Sequence, residues 1–171
     1  VYRASAQHVN VDGKSGVLMC AQPIDEIAGS MLSEELLYHD ALSGAYNRRF
    51  YEDNLRNQHM FAGVAVLDLD DFKLVNDTLG HHAGDVAIKT AVSVLRSCIR
   101  STDMLVRYGG DEFVLVIPGI SADVFARKLQ DMGDKLAETP VPGYENINLT
   151  VSIGGVLSEG RTVEEAVRQA D

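Results

Sequence analysis

FAGVAVLDLDD, residues 61–71, decides how this chain folds. From Phe61 to Leu67 the stretch is almost unbroken apolar, and it then ends in the carboxylates Asp68, Asp70 and Asp71. A short continuous apolar run of this kind reads as a buried strand covered on both faces, with its acidic end projecting from the core. Downstream, Asp85 to Arg100 reads as a long helix, with Val86, Ala87, Ala91, Val92, Leu95, Cys98 and Ile99 spaced for burial. Two strands follow, DMLVRY (103–108) and EFVLVIP (112–118), separated by Gly109, Gly110 and Asp111. A Gly-Gly pair between β-rich segments signals a hairpin, because glycine accepts the positive φ that tight hairpin turns demand. Ser121 is placed to cap a helix reaching Glu138, INLTVSIGGVL (147–157) is a further strand, and RTVEEAVRQAD (161–171) begins a last helix.

Upstream of the central strand, Leu42-Ser43-Gly44 precedes a helix over about Asn47 to Arg56. Pro23 followed by Ile24, Ile27, Ala28, Met31 and Leu32 gives a helical stripe running toward Tyr38, a connecting helix over residues 23–38. Residues 1–22 read as strand, turn and strand, with Asp12-Gly13 and Gly16 supplying the turn; two strands alone make no domain, so they look like the edge of a preceding one. The element order is that of an α+β fold, a mixed and mainly antiparallel sheet with helices on one face, and no internal repeat interrupts it.

At 171 residues, 46% hydrophobic and 23% charged, the chain has the make-up of one globular domain with a fragment of a second. Twenty-five acidic against 15 basic side chains give a formal net charge of -10, and a phosphate-backbone binder needs a basic face, so a nucleic acid polymer is excluded as partner. Cys20 and Cys98 form no metal-binding spacing, which fits a reduced, cytoplasmic setting. No apolar run reaches the ~20 residues needed to cross a bilayer, so any membrane anchor of the parent protein lies outside this sequence.

The acidic end of the central strand and the hairpin pair Asp111-Glu112 converge if the hairpin packs beside that strand. Converging carboxylates repel and raise each other's pKa unless a cation neutralises them, which calls for a hard divalent ion bound through oxygen, Mg²⁺ or Mn²⁺. Such ions in turn bind phosphates. A solvated acidic loop is an equal reading for Asp70 and Asp71 by themselves, but a weaker one for Asp68 taken with Asp111 or Glu112.

Gly109-Gly110-Asp111-Glu112-Phe113 resembles the signature of the GGDEF family, the diguanylate cyclases, which join two GTP molecules into cyclic di-GMP. By chance that string arises on the order of once in 10,000 chains of this length. The stretch Asp68 to Asp85, DLDDFKLVNDTLGHHAGD, is similar to the family's DxDxFKxxNDxxGHxxGD segment. Upstream, DALSGAYNRR (40–49) resembles its DxLTGLxNRR motif, and Val151-Ser152-Ile153-Gly154 its VSIG strand. The resemblance covers roughly Tyr38 to Asp171.

It implies a ferredoxin-like palm of the nucleotide cyclase and polymerase type, with the GGDEF domain at 39–171; separately, the strand pair at 1–22 resembles the last strands of a sensor of PAS type, joined by the connecting helix 23–38. By resemblance, Asp68 and Asp111 hold metal through their side chains, Leu69 through its carbonyl, and Glu112 assists. Asp111, Glu112 and Lys73 are then the catalytic set. Phe72 and Lys73 meet the β- and γ-phosphates, Asn76 and Asp85 read guanine, and Gly110 leaves room for nucleotide. A carboxylate at 85 accepts from the guanine N1–H and amine, which adenine cannot satisfy. Arg100 and Asp103 resemble the family's RxxD inhibitory site for cyclic di-GMP, although an arginine near a helix end followed by a capping aspartate is commonplace. The two-fold symmetric product implies a homodimeric encounter of two GTP-loaded domains. The family's final helix continues beyond the Ala-Asp at 170–171, so the chain is expected to lack that helix end. The alternative is a catalytically silent domain that binds cyclic di-GMP or GTP as a receptor.

Overall fold

The computed structural model describes residues 36–171 in full and, of the preceding residues, the strand backbones 2–11 and 14–23. The chain divides into two compact units, Val1–Leu37 and Tyr38–Asp171. In the first, β1 (Tyr2–Val11) pairs antiparallel with β2 (Lys14–Pro23), from Tyr2 opposite Pro23 to Val11 opposite Lys14. The connecting helix expected over 23–38 falls largely outside the described residues.

The second unit is a five-stranded mixed sheet. In chain order it contains β3 (Tyr46–Asn47), α1 (Arg48–Phe50) running into a π-helical turn at Tyr51–Leu55, β4 (Ala62–Leu69), α2 (Phe72–Leu79) and α3 (His81–Ser97). These are followed by β5 (Met104–Arg107), β6 (Glu112–Pro118), α4 (Ala122–Glu138), β7 (Val151–Leu157) and α5 (Val163–Ala170). The strand order is β3-β5-β6-β4-β7, antiparallel except for the short β3–β5 pair. The central apolar run is β4, flanked by β6 and β7 and buried along nearly its whole length.

Alternation along the strands sends residues to two cores. Leu67 and Leu69 of β4 and Phe113 and Leu115 of β6 meet α3 and α4 through Ala87, Ile88, Leu95, Phe125 and Met132. Val64, Val114 and Val116 point the other way, onto Tyr51, Leu55 and the α5 residues Val163 and Ala166. Helices therefore cover both faces, not one. Both covering helices are expected from the sequence, but nothing local in it says on which face of the sheet each one packs. Each fully buried side chain such as Phe113 or Leu67 contributes about 1.5–3 kcal/mol by leaving water.

Local signals fix the helix ends. Asn47 Oδ1 accepts from the Phe50 amide at 3.0 Å. Thr162 and Glu165 form a reciprocal capping box at the start of α5. Ser121 sits at the N-cap of α4, but its side chain makes no capping hydrogen bond. The helix expected from Asp85 begins earlier, at His81, and is preceded by α2, separated from it by Gly80 at φ +85°. The last strand begins at Val151 rather than Ile147. Gly109 and Gly110 do not adopt positive φ. Their loop, Tyr108–Asp111, is longer than the two-residue turn that requires it, and the Tyr108 and Gly109 amides close it onto the Glu112 carbonyl at 2.9 and 3.2 Å.

Candidate active site

Antiparallel pairing of β4 with β6 puts Asp68 directly opposite Glu112, and pairing with β7 puts it opposite Ser152. The hairpin does pack beside the central strand, so the two acidic clusters meet at one end of the sheet. The Leu69 amide donates to the Asp111 carbonyl at 3.2 Å, tying the hairpin loop to the strand end. On the other side the Asp70 amide donates to the Thr150 carbonyl at 3.0 Å, and Ser152 Oγ donates to Asp70 Oδ1 at 2.7 Å. Asp70 is therefore held by β7, while Asp111 and Glu112 stand on the β6 side.

Desolvation at the strand end, then the charges of Asp111 and Asp70, push the Asp68 carboxyl above its ordinary value of 3.8. The lesser causes of that rise are neighbouring carboxylates without a counter-charge, a setting that fits a hard divalent cation. Among the described residues no three His, Cys, Asp or Glu side chains form a closed cage. Mg²⁺ does not ask for one; it takes one or two carboxylates and completes its shell with water and substrate phosphate.

Asp71 follows in the left-handed region, φ 56° and ψ 19°, an uncommon conformation that aspartate tolerates better than most residues. It turns the chain sharply into α2, whose N-terminus receives no side-chain cap. First-turn amides left in this way suit an anion. Phe72 is half-buried against the core and Lys73 is exposed beside it. One turn on, the Asn76 amide lies against Gly84, the residue before the exposed Asp85 on α3. Asn76 and Asp85 are thereby brought to the same α2–α3 junction.

Gly110 is exposed with open space where a Cβ would stand. At Gly109 a Cβ would meet Glu112 Oε2 at 2.6 Å, so the carboxylate of Glu112 folds back over this glycine. Aromatic packing flanks the site: Tyr46 stacks on Phe50 at 3.8 Å, and Tyr51 meets Tyr108 edge-on at 5.2 Å.

Arg100 and Asp103 sit away from the carboxylates, in the turn between α3 and β5. Asp103 is buried and its Oδ2 accepts the Arg100 amide at 2.8 Å, so it closes the turn. Both line a cavity of about 290 Å³ shared with His39, Tyr46, Arg96 and Ser101. His39 Nδ1 is buried there without a hydrogen-bond partner.

Sequence reasoning passed over Arg107. Its Nη1 meets Asp40 Oδ1 at 2.9 Å, and its Nε and Nη2 donate to the Gly110 carbonyl at 3.1 and 2.8 Å. Ser152 and Gly84 were likewise quoted only as parts of motifs. Among the described residues, no helix is long and apolar enough to cross a membrane.

The family profile described as "Diguanylate cyclase, GGDEF domain" matches residues 37–171. The chain is 32% identical over 169 residues to the diguanylate cyclase DgcS of Shewanella oneidensis, covering 90% of this chain and 56% of that protein. It is 34% identical over 151 residues to the response regulator PleD of Caulobacter vibrioides, covering 81% of this chain and 33% of that protein. The chain thus spans between a third and somewhat over half of these relatives. The structure of the coiled coil and GGDEF domain of DgcB from Caulobacter crescentus, in complex with c-di-GMP, superposes with a TM-score of 0.76. Identity there is 24%, over 86% of this chain and 84% of that one, and the likeness is one of fold. A second GGDEF domain, described in a novel interaction mode with cyclic di-GMP, is 30% identical with a TM-score of 0.67, covering 81% of this chain and 88% of that one. With the profile running unbroken from the opening turn through both acidic clusters, and with relatives named diguanylate cyclases, this chain belongs to the GGDEF family.

Proposed function

We propose that the domain is a diguanylate cyclase, condensing two GTP into cyclic di-GMP and two pyrophosphate. The observation that carries this is the meeting of Asp68 with Asp111 and Glu112 beside the uncapped N-terminus of α2. Asp68 and Asp111 hold Mg²⁺ or Mn²⁺ through their carboxylates and Leu69 through its carbonyl, with Glu112 assisting. The bound ion would neutralise charge at the α-phosphate and lower the pKa of the attacking ribose hydroxyl. The amides at the start of α2, with the Lys73 ammonium, draw in the β- and γ-phosphates; Phe72 supplies the first of those amides while its ring anchors the helix to the core. Asn76 and Asp85 hydrogen-bond the guanine edge, and Gly110 leaves the ribose and α-phosphate a clear approach.

Each 3′-oxygen forms a bond to the other nucleotide's α-phosphorus, a pyrophosphate leaves, and the hydroxyl proton passes to Asp111 or to water. Two domains must face each other, since each supplies one nucleophile and one electrophile. The paired strands at residues 2–23 belong, in this reading, to an upstream sensor of PAS type, and the protein works in the bacterial cytoplasm. Specificity tests the nucleotide assignment. With Mg²⁺ the full-length protein should consume GTP and leave ATP, and Asp85→Ala should erase that preference; equal use of both by the wild type would contradict it.

The cavity at Arg100 and Asp103 supports a second, regulatory role as a product site. Arg96 and Arg100 offer phosphate pairing there, and a guanidinium plane can also stack on guanine. Arg100→Ala should relieve inhibition by added cyclic di-GMP without lowering the initial rate; unchanged inhibition would remove the assignment. If the domain binds cyclic di-GMP through Arg100 yet forms none, it is a receptor.

A further inference from the structure

We propose that Arg107 is a positioning residue for the reaction, fixing the loop that carries Asp111 by clamping the Gly110 carbonyl from the Asp40 turn. The proposal rests on the cyclase reading. Arg107 closes β5, just before the loop, and its side chain is 16% exposed. A guanidinium is a rigid planar fork, and here one edge, Nε and Nη2, grips a single backbone oxygen, Gly110 O, while Nη1 reaches Asp40.

Asp40 is itself immobilised. Its Oδ1 accepts from the Ser43 amide at 2.9 Å and from Ser43 Oγ at 2.6 Å, and its backbone closes the turn through Asp40 N to Ala45 O and Gly44 N to Asp40 O, both 2.8 Å. Arg96 caps the same turn at the Gly44 carbonyl. The guanidinium is therefore braced against a stiff element.

The consequence falls on Asp111. The carbonyl before it is held by Arg107, and its own carbonyl is held by the Leu69 amide. The peptide that orients its carboxylate is thus pinned at both ends, although the loop has exposed Gly110 in its middle. Catalysis depends steeply on such placement, since a displacement of about 1 Å costs on the order of 100-fold in rate. Asp40 and Arg107 touch neither nucleotide nor metal in this account, so their effect is transmitted wholly through that loop.

The test compares wild type with Arg107→Lys and Asp40→Asn in the full-length protein. Lysine keeps the charge beside Asp40 but cannot fork onto Gly110 O; asparagine keeps the turn's shape but removes the charge that braces Arg107. The first readout is hydrogen exchange on the nucleotide-free protein. In Arg107→Lys the Leu69, Tyr108 and Gly109 amides should exchange at least about tenfold faster, with β4 core amides such as Val64 unchanged. The second is steady-state kinetics well below Tm: kcat should fall about tenfold or more with KM for GTP within about twofold, and Asp40→Asn should show a smaller change in the same sense.

Unchanged loop exchange overturns the proposal, and so does an unchanged kcat in an active protein. A drop in Tm alone, with exchange and kcat as in wild type, identifies a merely structural ion pair and overturns it too. A wild type that makes no cyclic di-GMP sinks the cyclase reading, while the exchange result still decides whether Arg107 holds the loop.

Discussion

The side-chain amide of Asn76 lies so close over Gly84 that a Cβ on residue 84 would stand 2.1 Å from Asn76 Oδ1. Helices α2 and α3 meet at this contact, one residue before Asp85. Gly84→Ala should therefore push the amide aside and raise KM for GTP about tenfold, the scale of one lost hydrogen bond. An unchanged KM in a folded variant would show that Asn76 does not meet the base.

Asp68 makes the metal-free domain pH-dependent in an unusual direction. Its carboxyl is pushed above 3.8, so the folded state holds that proton more tightly than the unfolded chain does. The resulting stability is full below the ordinary value and is lost as pH rises through the raised one. At neutral pH the ionised group therefore works against the fold. Asp68→Asn should raise the metal-free Tm at pH 7 by on the order of 1 °C, with the gain vanishing near about pH 3. Mg²⁺ should raise the Tm of the wild type more than that of the variant. Thermal melts at both pH values check this, and a lower Tm for the variant at pH 7 would contradict it.

Gly154 on β7 lets the end of α5 sit directly on the sheet, since a Cβ there would fall 1.8 Å from the Ala170 carbonyl oxygen. That neighbour is backbone and cannot swing away. Gly154→Ala should cost about 1–3 kcal/mol, a Tm lower by about 3–10 °C. A calorimetric scan showing no loss would mean that α5 shifts freely.

Much of this was legible in the sequence because the decisive features are local. The central strand was read to within a residue of Ala62–Leu69, since unbroken apolarity followed by acid is unambiguous. The meeting of Asp68 with Asp111 and Glu112 was legible only as a condition, since the sequence does not say which strand lies beside β4; the structure places β6 there, antiparallel. Helix α2 was missed because Leu74 and Leu79 are exposed, at 61% and 46%, and blur the stripe that would mark it. The start of α3 was placed late because His81, His82 and Gly84 give its first turn no helical signature. Arg107 was invisible for a different reason: within MLVRY it reads as a strand residue, and its acidic partner is 67 positions away. Only folding brings that pair together.

The central claim is that the two acidic clusters, joined across β4 and β6, perform the condensation. The measurement that tests it most directly is cyclic di-GMP formation from GTP and Mg²⁺ by the full-length protein, alongside Asp111→Ala, at a protein concentration that permits pairing of domains. The account predicts product from the wild type and a loss of at least about 1,000-fold in the variant, the scale of removing a principal charge-stabilising element. Product formed equally well by Asp111→Ala would contradict it, and so would none from the wild type.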